Sequence, residues 1–161
     1  MSADLDKQLW NELCGADSRY FEARMALMKG AEDLDGIISS ALNKPSERGA
    51  ALRVMKILPE QRVRLHIEQL ARLASVGHSD IALVREILMT KLDRRWLVEN
   101  IDRYVEPILA TAEDEEEFRR IAEFYQQVDP ELLRMHLARC ASHPDEEIRD
   151  LVTDFAAQSD D

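Results

Sequence analysis

The segment Leu70-Ala71-Arg72-Leu73-Ala74-Ser75 returns later in the chain as Leu137-Ala138-Arg139-Cys140-Ala141-Ser142. Once two indels are allowed, both copies continue in parallel. The first runs through His78-Ser79-Asp80 to Val84-Arg85-Glu86, the second through His143-Pro144-Asp145 to Ile148-Arg149-Asp150. A weaker copy lies between them: Ile108-Leu109-Ala110-Thr111-Ala112, then Asp114, then Phe118-Arg119-Arg120. The matching arginines Arg85, Arg119 and Arg149 are 34 and 30 residues apart, the length of one two-helix unit. Such a unit cannot bury its apolar face alone, so the fold must stack each copy on the next.

Within and around the copies the apolar residues recur at helical spacing, which predicts helices near 60 to 75, 80 to 92, 94 to 111, 115 to 127, 130 to 142 and 145 to 158. Pro107 should kink or split the third, since it lacks an N–H and crowds the preceding turn. Asp80, Asp129 and Asp145 stand where N-caps belong, and Pro130 and Pro144 mark helix starts. Upstream, Leu5, Leu9 and Leu13 mark a helix that stops at Gly15, and Tyr20, Phe21, Met25 and Met28 a second that ends near Gly30. Ile37, Ile38, Ala41 and Leu42 mark a third. After the break at Asn43-Lys44-Pro45-Ser46, Ser46 is placed to cap a helix through Leu52, Met55 and Leu58, and Pro59 opens the next. Aromatics are 6% of the 161 residues and Gly and Pro number 5 each, too few for a sandwich or barrel of short strands, so the chain is read as all-α. The short connections make successive helices antiparallel hairpins.

A helix ending in small residues, a short turn, and Asp-x-x-(x)-(Val/Ile/Phe)-Arg opening the next helix resembles the HEAT-like repeats and the related leucine-rich-repeat variant. His143-Pro144-Asp145-Glu146-Glu147-Ile148-Arg149 fits well, Asp80 to Arg85 has one residue more, and Glu113 to Arg119 lacks the His-Pro. The resemblance implies a right-handed α-solenoid of about four to five antiparallel helix pairs. Residues 1–59 would form a helical cap or divergent repeats and residues 60–161 the HEAT-like repeats, together one continuous domain. It also implies structural roles for the repeated side chains. Asp80, Asp114 and Asp145 accept from free N–H groups at helix starts, while Arg85, Arg119 and Arg149 reach the adjacent unit as a ladder. Small residues at Ala74, Ser75, Ala112, Ala141 and Ser142 let the hairpin partner approach closely. Iron-sulfur members of the variant family carry an extra cysteine cluster with no counterpart here, so that cofactor is not carried over and none is expected.

The formal charge is -11, unevenly spread: -4 over residues 1 to 47, +4 over 48 to 103 and -11 over 104 to 161. The total disfavours non-specific attraction to phosphate or anionic lipid and suits a basic partner. Two cysteines, Cys14 and Cys140, without metal-ligand spacing exclude a disulfide framework and a structural zinc site. No signal segment or membrane-length apolar run occurs, so the chain is read as cytoplasmic, with no membrane contact.

Chemistry-bearing motifs are absent: no phosphate loop, nucleophile elbow, His-Glu-x-x-His or calcium loop occurs. Cys140 lies four residues after His136, but a nucleophile also needs an orienting acid and an oxyanion hole, and neither is visible. His78 and His143 are repeat equivalents and read as turn histidines. The acidic run that includes Glu115, Glu116 and Glu117 straddles a turn and a helix start, where carboxylates suit the dipole, and it is also a candidate surface for basic partners. Arg94, Arg95, Arg103 and Tyr104 interleave basic and aromatic residues around Trp96, itself read as core. The leading expectation is a non-enzymatic interaction module, an adaptor, inhibitor or immunity-type scaffold that binds a protein partner. The alternative is nucleic-acid binding by residues 48–103.

Overall fold

Few β-branched and aromatic residues and a continuous 3.6-residue period leave helix as the regular structure throughout the described residues, 2–157, of this computed structural model. In chain order the helices are α1 (Ser2–Gly30), α2 (Leu34–Leu42), α3 (Pro45–Met55), α4 (Glu60–Arg64), α5 (Ile67–Ala74), α6 (Ile81–Lys91), α7 (Arg94–Asn100), α8 (Asp102–Leu109), α9 (Glu115–Val128), α10 (Pro130–Ala141) and α11 (Glu146–Ala157). The chain divides into two compact units between Ser40 and Ala41.

In the first unit, α1 runs unbroken through Gly15, where the sequence predicts a stop. Glycine ends a helix when it takes a left-handed conformation, and no described glycine has positive φ. Gly15 is therefore an interior glycine that weakens the helix. A Cβ there would meet only the Arg19 Nη1 at 3.3 Å, the tip of a flexible side chain. Gly15→Ala should stabilise α1 by about 0.5–1 kcal/mol, read as slower amide exchange along the helix.

In the second unit the packing order follows the sequence. α5 packs on α6, α8 on α9, and α10 on both α9 and α11. Asp129 alone joins α9 to α10, so these two packed helices must run in opposite senses. Between successive pairs, α5 packs on α8, α9 on α11, and α3 on α6. The core that results includes Leu52, Met55, Leu70, Ile87, Ile121 and Phe124, all shut off from solvent.

Several helix boundaries differ from the sequence expectation. Pro45 takes the first helical position of α3, which moves the N-cap to Lys44 and places Ser46 inside the first turn, where it caps nothing. The helix expected over 60 to 75 is interrupted at Leu65 and His66. Their N–H groups donate to the carbonyls of Arg62 and Val63, a tighter turn that brings Val63, His66 and Ile67 all inward. The helix over 94 to 111 divides at Ile101, not at Pro107. Pro107 sits inside α8, where the carbonyl denied its usual donor belongs to Arg103, an exposed residue that water can serve.

Candidate functional site

The described repeat side chains form two kinds of contact, one inside each turn and one between pairs. In the turns, His78 Nδ1 accepts from the Asp80 N–H at 3.1 Å, and His143 Nδ1 accepts from the Asp145 N–H at 3.1 Å. The two copies therefore share one local geometry. Between pairs, the Arg85 Nη2 donates to the Arg120 carbonyl at 2.9 Å and to Glu123 at 3.1 Å. Arg119 donates to Glu115 in its own helix and, at 3.1 Å, to Asp154 of α11. Arg149, in α11, donates to the carbonyls of His143 and Pro144 in its own turn.

The aspartates behave unequally. Asp114 accepts from the Glu116 N–H and Asp145 from the Glu147 N–H, each at 2.9 Å. Asp80 makes no capping bond, contrary to the role the resemblance implies. Its backbone (φ -98, ψ 4) lies outside the extended region a capping residue needs, whereas Asp114 is extended (φ -143, ψ -170). Asp93, unremarked in the sequence, does cap, accepting from the Trp96 N–H at 2.9 Å. The small residues also divide: Ala74 and Ser75 are fully buried, while Ala141 and Ser142, in the pair that no described pair follows, are exposed.

Two clefts open where the repeated arginines Arg72 and Arg139 stand. The first, about 530 Å³, is lined by Arg48 and Arg72 together with Glu113, Asp114 and Glu117. Burial pushes the Glu117 carboxyl up, and the neighbouring Asp114 and Glu116 charges add to it. The second, about 310 Å³, is lined by Glu106, Leu109, Phe118, Arg139 and His143. Beneath it Asp102 accepts from the Tyr125 hydroxyl at 2.9 Å and from Arg139 Nη2 at 2.9 Å, tying α8, α9 and α10 together. No sequence motif marked this cluster.

Two residues of the acidic run are held within the fold. Glu115 pairs with Arg119, and Glu116 accepts from the Gly77 N–H at 2.9 Å. A Cβ on Gly77 would sit 2.7 Å from that Glu116 oxygen, the tip of a flexible side chain that would have to move aside. Of the five consecutive acidic residues Glu113 to Glu117, Glu113, Asp114 and Glu117 line the first cleft. The basic candidates lie elsewhere and are also engaged. Arg94 donates to the Val128 carbonyl at the end of α9, Arg95 pairs with Glu99, and Arg103 bonds the Tyr104 hydroxyl. Trp96 is half-buried beneath the Arg64 guanidinium, 4.1 Å from its ring centroid. Lys56 pairs with Glu86, Arg64 with Glu60, and the buried Arg85 with Glu123. Of these carboxylates only Glu123 lies outside residues 48 to 103, so the segment keeps most of its net positive charge.

Cys140 and His136 are adjacent, Sγ to Nε2 3.8 Å, and both buried. The Nε2 lies 2.8 Å from the Phe118 carbonyl, which requires the proton on that nitrogen and leaves none of its lone pair for a thiol. Burial pushes the thiol up to about 11 and pushes the imidazole below 6.5, so both groups are neutral at pH 7. The pair is a packing contact beside the Phe118 and Tyr125 rings. Among the described residues no group of three or more His, Cys, Asp or Glu side chains is placed to hold a metal ion, and no helix is long and apolar enough to cross a membrane. No protein-family model, curated protein or solved structure matches the chain.

Proposed function

We propose that the second unit is a non-enzymatic helical-repeat module whose pairs stack as a right-handed α-solenoid and bind a protein partner through the clefts between them. Recurrence is the observation that supports this. Arg85 and Arg119, 34 residues apart in sequence, each bond into the following pair. Bonds repeated at unit spacing hold neighbouring pairs in a fixed relation, as a recognition surface assembled from several pairs requires. The first cleft offers Glu113 and Glu117 beside Arg72, and the acidic residues beyond 104 add a long-range field. A partner with a basic contact patch gains association rate from that field. Adaptor, inhibitor and immunity-type roles all use such a surface.

The test is capture of partners from native lysate by the wild-type chain and by two charge-reversed forms. Glu113→Lys with Glu117→Lys should lower the captured partner at least tenfold, equivalent to about 1.4 kcal/mol. Arg94→Glu with Arg95→Glu, in a separate cleft with Asp93 and Asp129, should leave it unchanged. Retained material that disappears on nuclease treatment, with affinity falling steeply as salt rises, would replace this reading with nucleic-acid binding by residues 48–103.

A further inference from the structure

The first half of α1 carries large apolar side chains that stand exposed. Leu5, Leu9, Trp10, Leu13 and Phe21 are 53% to 64% exposed, in a helix of 29 residues. At 100° per residue the exposed Leu5, Leu9 and Leu13 form one stripe, which the exposed Ala16 and the half-buried Tyr20 and Leu27 continue. Helices of globular proteins take most of their stability from packing such a stripe, so an uncovered one indicates an absent neighbour.

The charges on the same helix say what that neighbour is. Residues 2 to 14 carry Asp4, Asp6 and Glu12 against Lys7, a net -2, and residues 18 to 30 carry Arg19, Arg24 and Lys29 against Glu22, a net +2. α1 is therefore the electrostatic complement of itself reversed. In an antiparallel pair centred near Gly15, Asp6 comes opposite Arg24 and Glu12 opposite Arg19, each on the same flank of the stripe. Leu9 then meets Tyr20, while the small Ala16 at the centre lets the backbones approach. Arg24 stacks over the Tyr20 and Phe21 rings, 5.5 Å from each centroid, which sets its charge beside the stripe. A parallel pair would oppose like halves and align the helix dipoles unfavourably. Two helix faces about 43 Å long and about 10 Å wide offer area on the order of the 1,000 Å² that a specific interface needs.

We propose that the chain self-associates through α1, pairing it antiparallel with α1 of a second copy. This surface is independent of the clefts of the second unit. Sedimentation of the full chain at about 50 µM should show a dimer, given micromolar affinity. Leu9→Asp with Leu13→Asp alters two exposed positions, so circular dichroism should keep its helical signal while the dimer is lost. Arg19→Glu with Arg24→Glu should be monomeric alone, as should Asp6→Arg with Glu12→Arg, and the two mixed should form a 1:1 heterodimer. Spin labels on Asp4→Cys, in a Cys14→Ser background, should lie about 33 Å apart along the axis. A wild-type chain that stays monomeric at that concentration, a dimer that survives Leu9→Asp with Leu13→Asp, or charge-reversed variants that fail to pair overturns the proposal. Spin labels side by side would overturn the antiparallel arrangement.

Discussion

Arg85→Ala should lower the free energy of unfolding by about 3 kcal/mol, whereas Arg149→Ala should change it by less than about 0.5 kcal/mol. The two arginines are repeat equivalents, and burial separates them. Arg85 is 8% exposed, and its guanidinium bridges from α6 to the Arg120 carbonyl and the Glu123 carboxylate of α9. Truncation removes two charge-assisted bonds between pairs and the packed stem that carries them. Arg149 is exposed and bonds only carbonyls of its own turn, where water substitutes readily. Arg119, half-buried and shared between Glu115 and Asp154, should fall between them at about 1 kcal/mol. Arg85→Met separates the contributions. It retains the stem and removes a buried Nε that has no acceptor among the described residues, so it should cost less than alanine. Denaturant titration of the four variants measures the series, and equal losses at Arg85 and Arg149 would show that the inter-pair bonds carry no special weight.

Asp102→Ala should cost about 2 kcal/mol, mostly through a group the substitution does not touch. The Tyr125 hydroxyl, in a fully buried ring, would lose its Asp102 acceptor, and Arg139 its carboxylate. The ion pair itself is about one-third exposed on each side and contributes the smaller share. The variant should also respond differently to acid. Burial pushes the Asp102 carboxyl up, but the bonds from Arg139 and Tyr125 outweigh it and hold the group below its ordinary 3.8. Its contribution is therefore present above that value and lost as pH falls through the folded-state pKa. His136 acts at higher pH in the same direction. Burial holds its imidazole below 6.5, so the stability of its neutral form is complete above 6.5 and lost as pH falls through its lower folded value. The wild type should weaken in two stages on acidification, and Asp102→Ala should lose only the stage below 3.8. An unchanged acid profile in Asp102→Ala would exclude the carboxylate as its source.

The all-α class was legible because it rests on period and composition, which no distant contact overrides. The Gly15 error shows the limit of punctuation: glycine permits a stop, but whether the chain takes the left-handed turn depends on what lies beyond. Ser46 failed as a cap for a neighbouring reason, since Pro45 had already claimed the first helical position. Asp80 and Asp114 read alike in sequence and differ in backbone angle, so one caps and one does not. The Asp102, Tyr125 and Arg139 cluster left no trace because its members come from three helices and only Arg139 belongs to a repeated segment. Of the Arg94, Arg95, Arg103 and Tyr104 group, the Arg95–Glu99 pair follows from helical spacing, whereas the bond from Arg94 to the Val128 carbonyl spans 34 residues and leaves no mark in the sequence.

The bonds joining successive pairs have a kinetic consequence. Apart from the His136–Phe118 bond, those described above run from Lys56 and Glu86, 30 residues apart, to Gly77 and Glu116, 39 apart, and close loops of nearly one length. Loop-closure entropy rises only with the logarithm of length, by about 0.6 kcal/mol for each doubling, so no one of these links is a markedly harder search than another. The low sequence separation of the contacts favours fast folding. Among the described helices of the second unit, α10 and α11 pack chiefly on each other and on α9, and amide exchange there should open first.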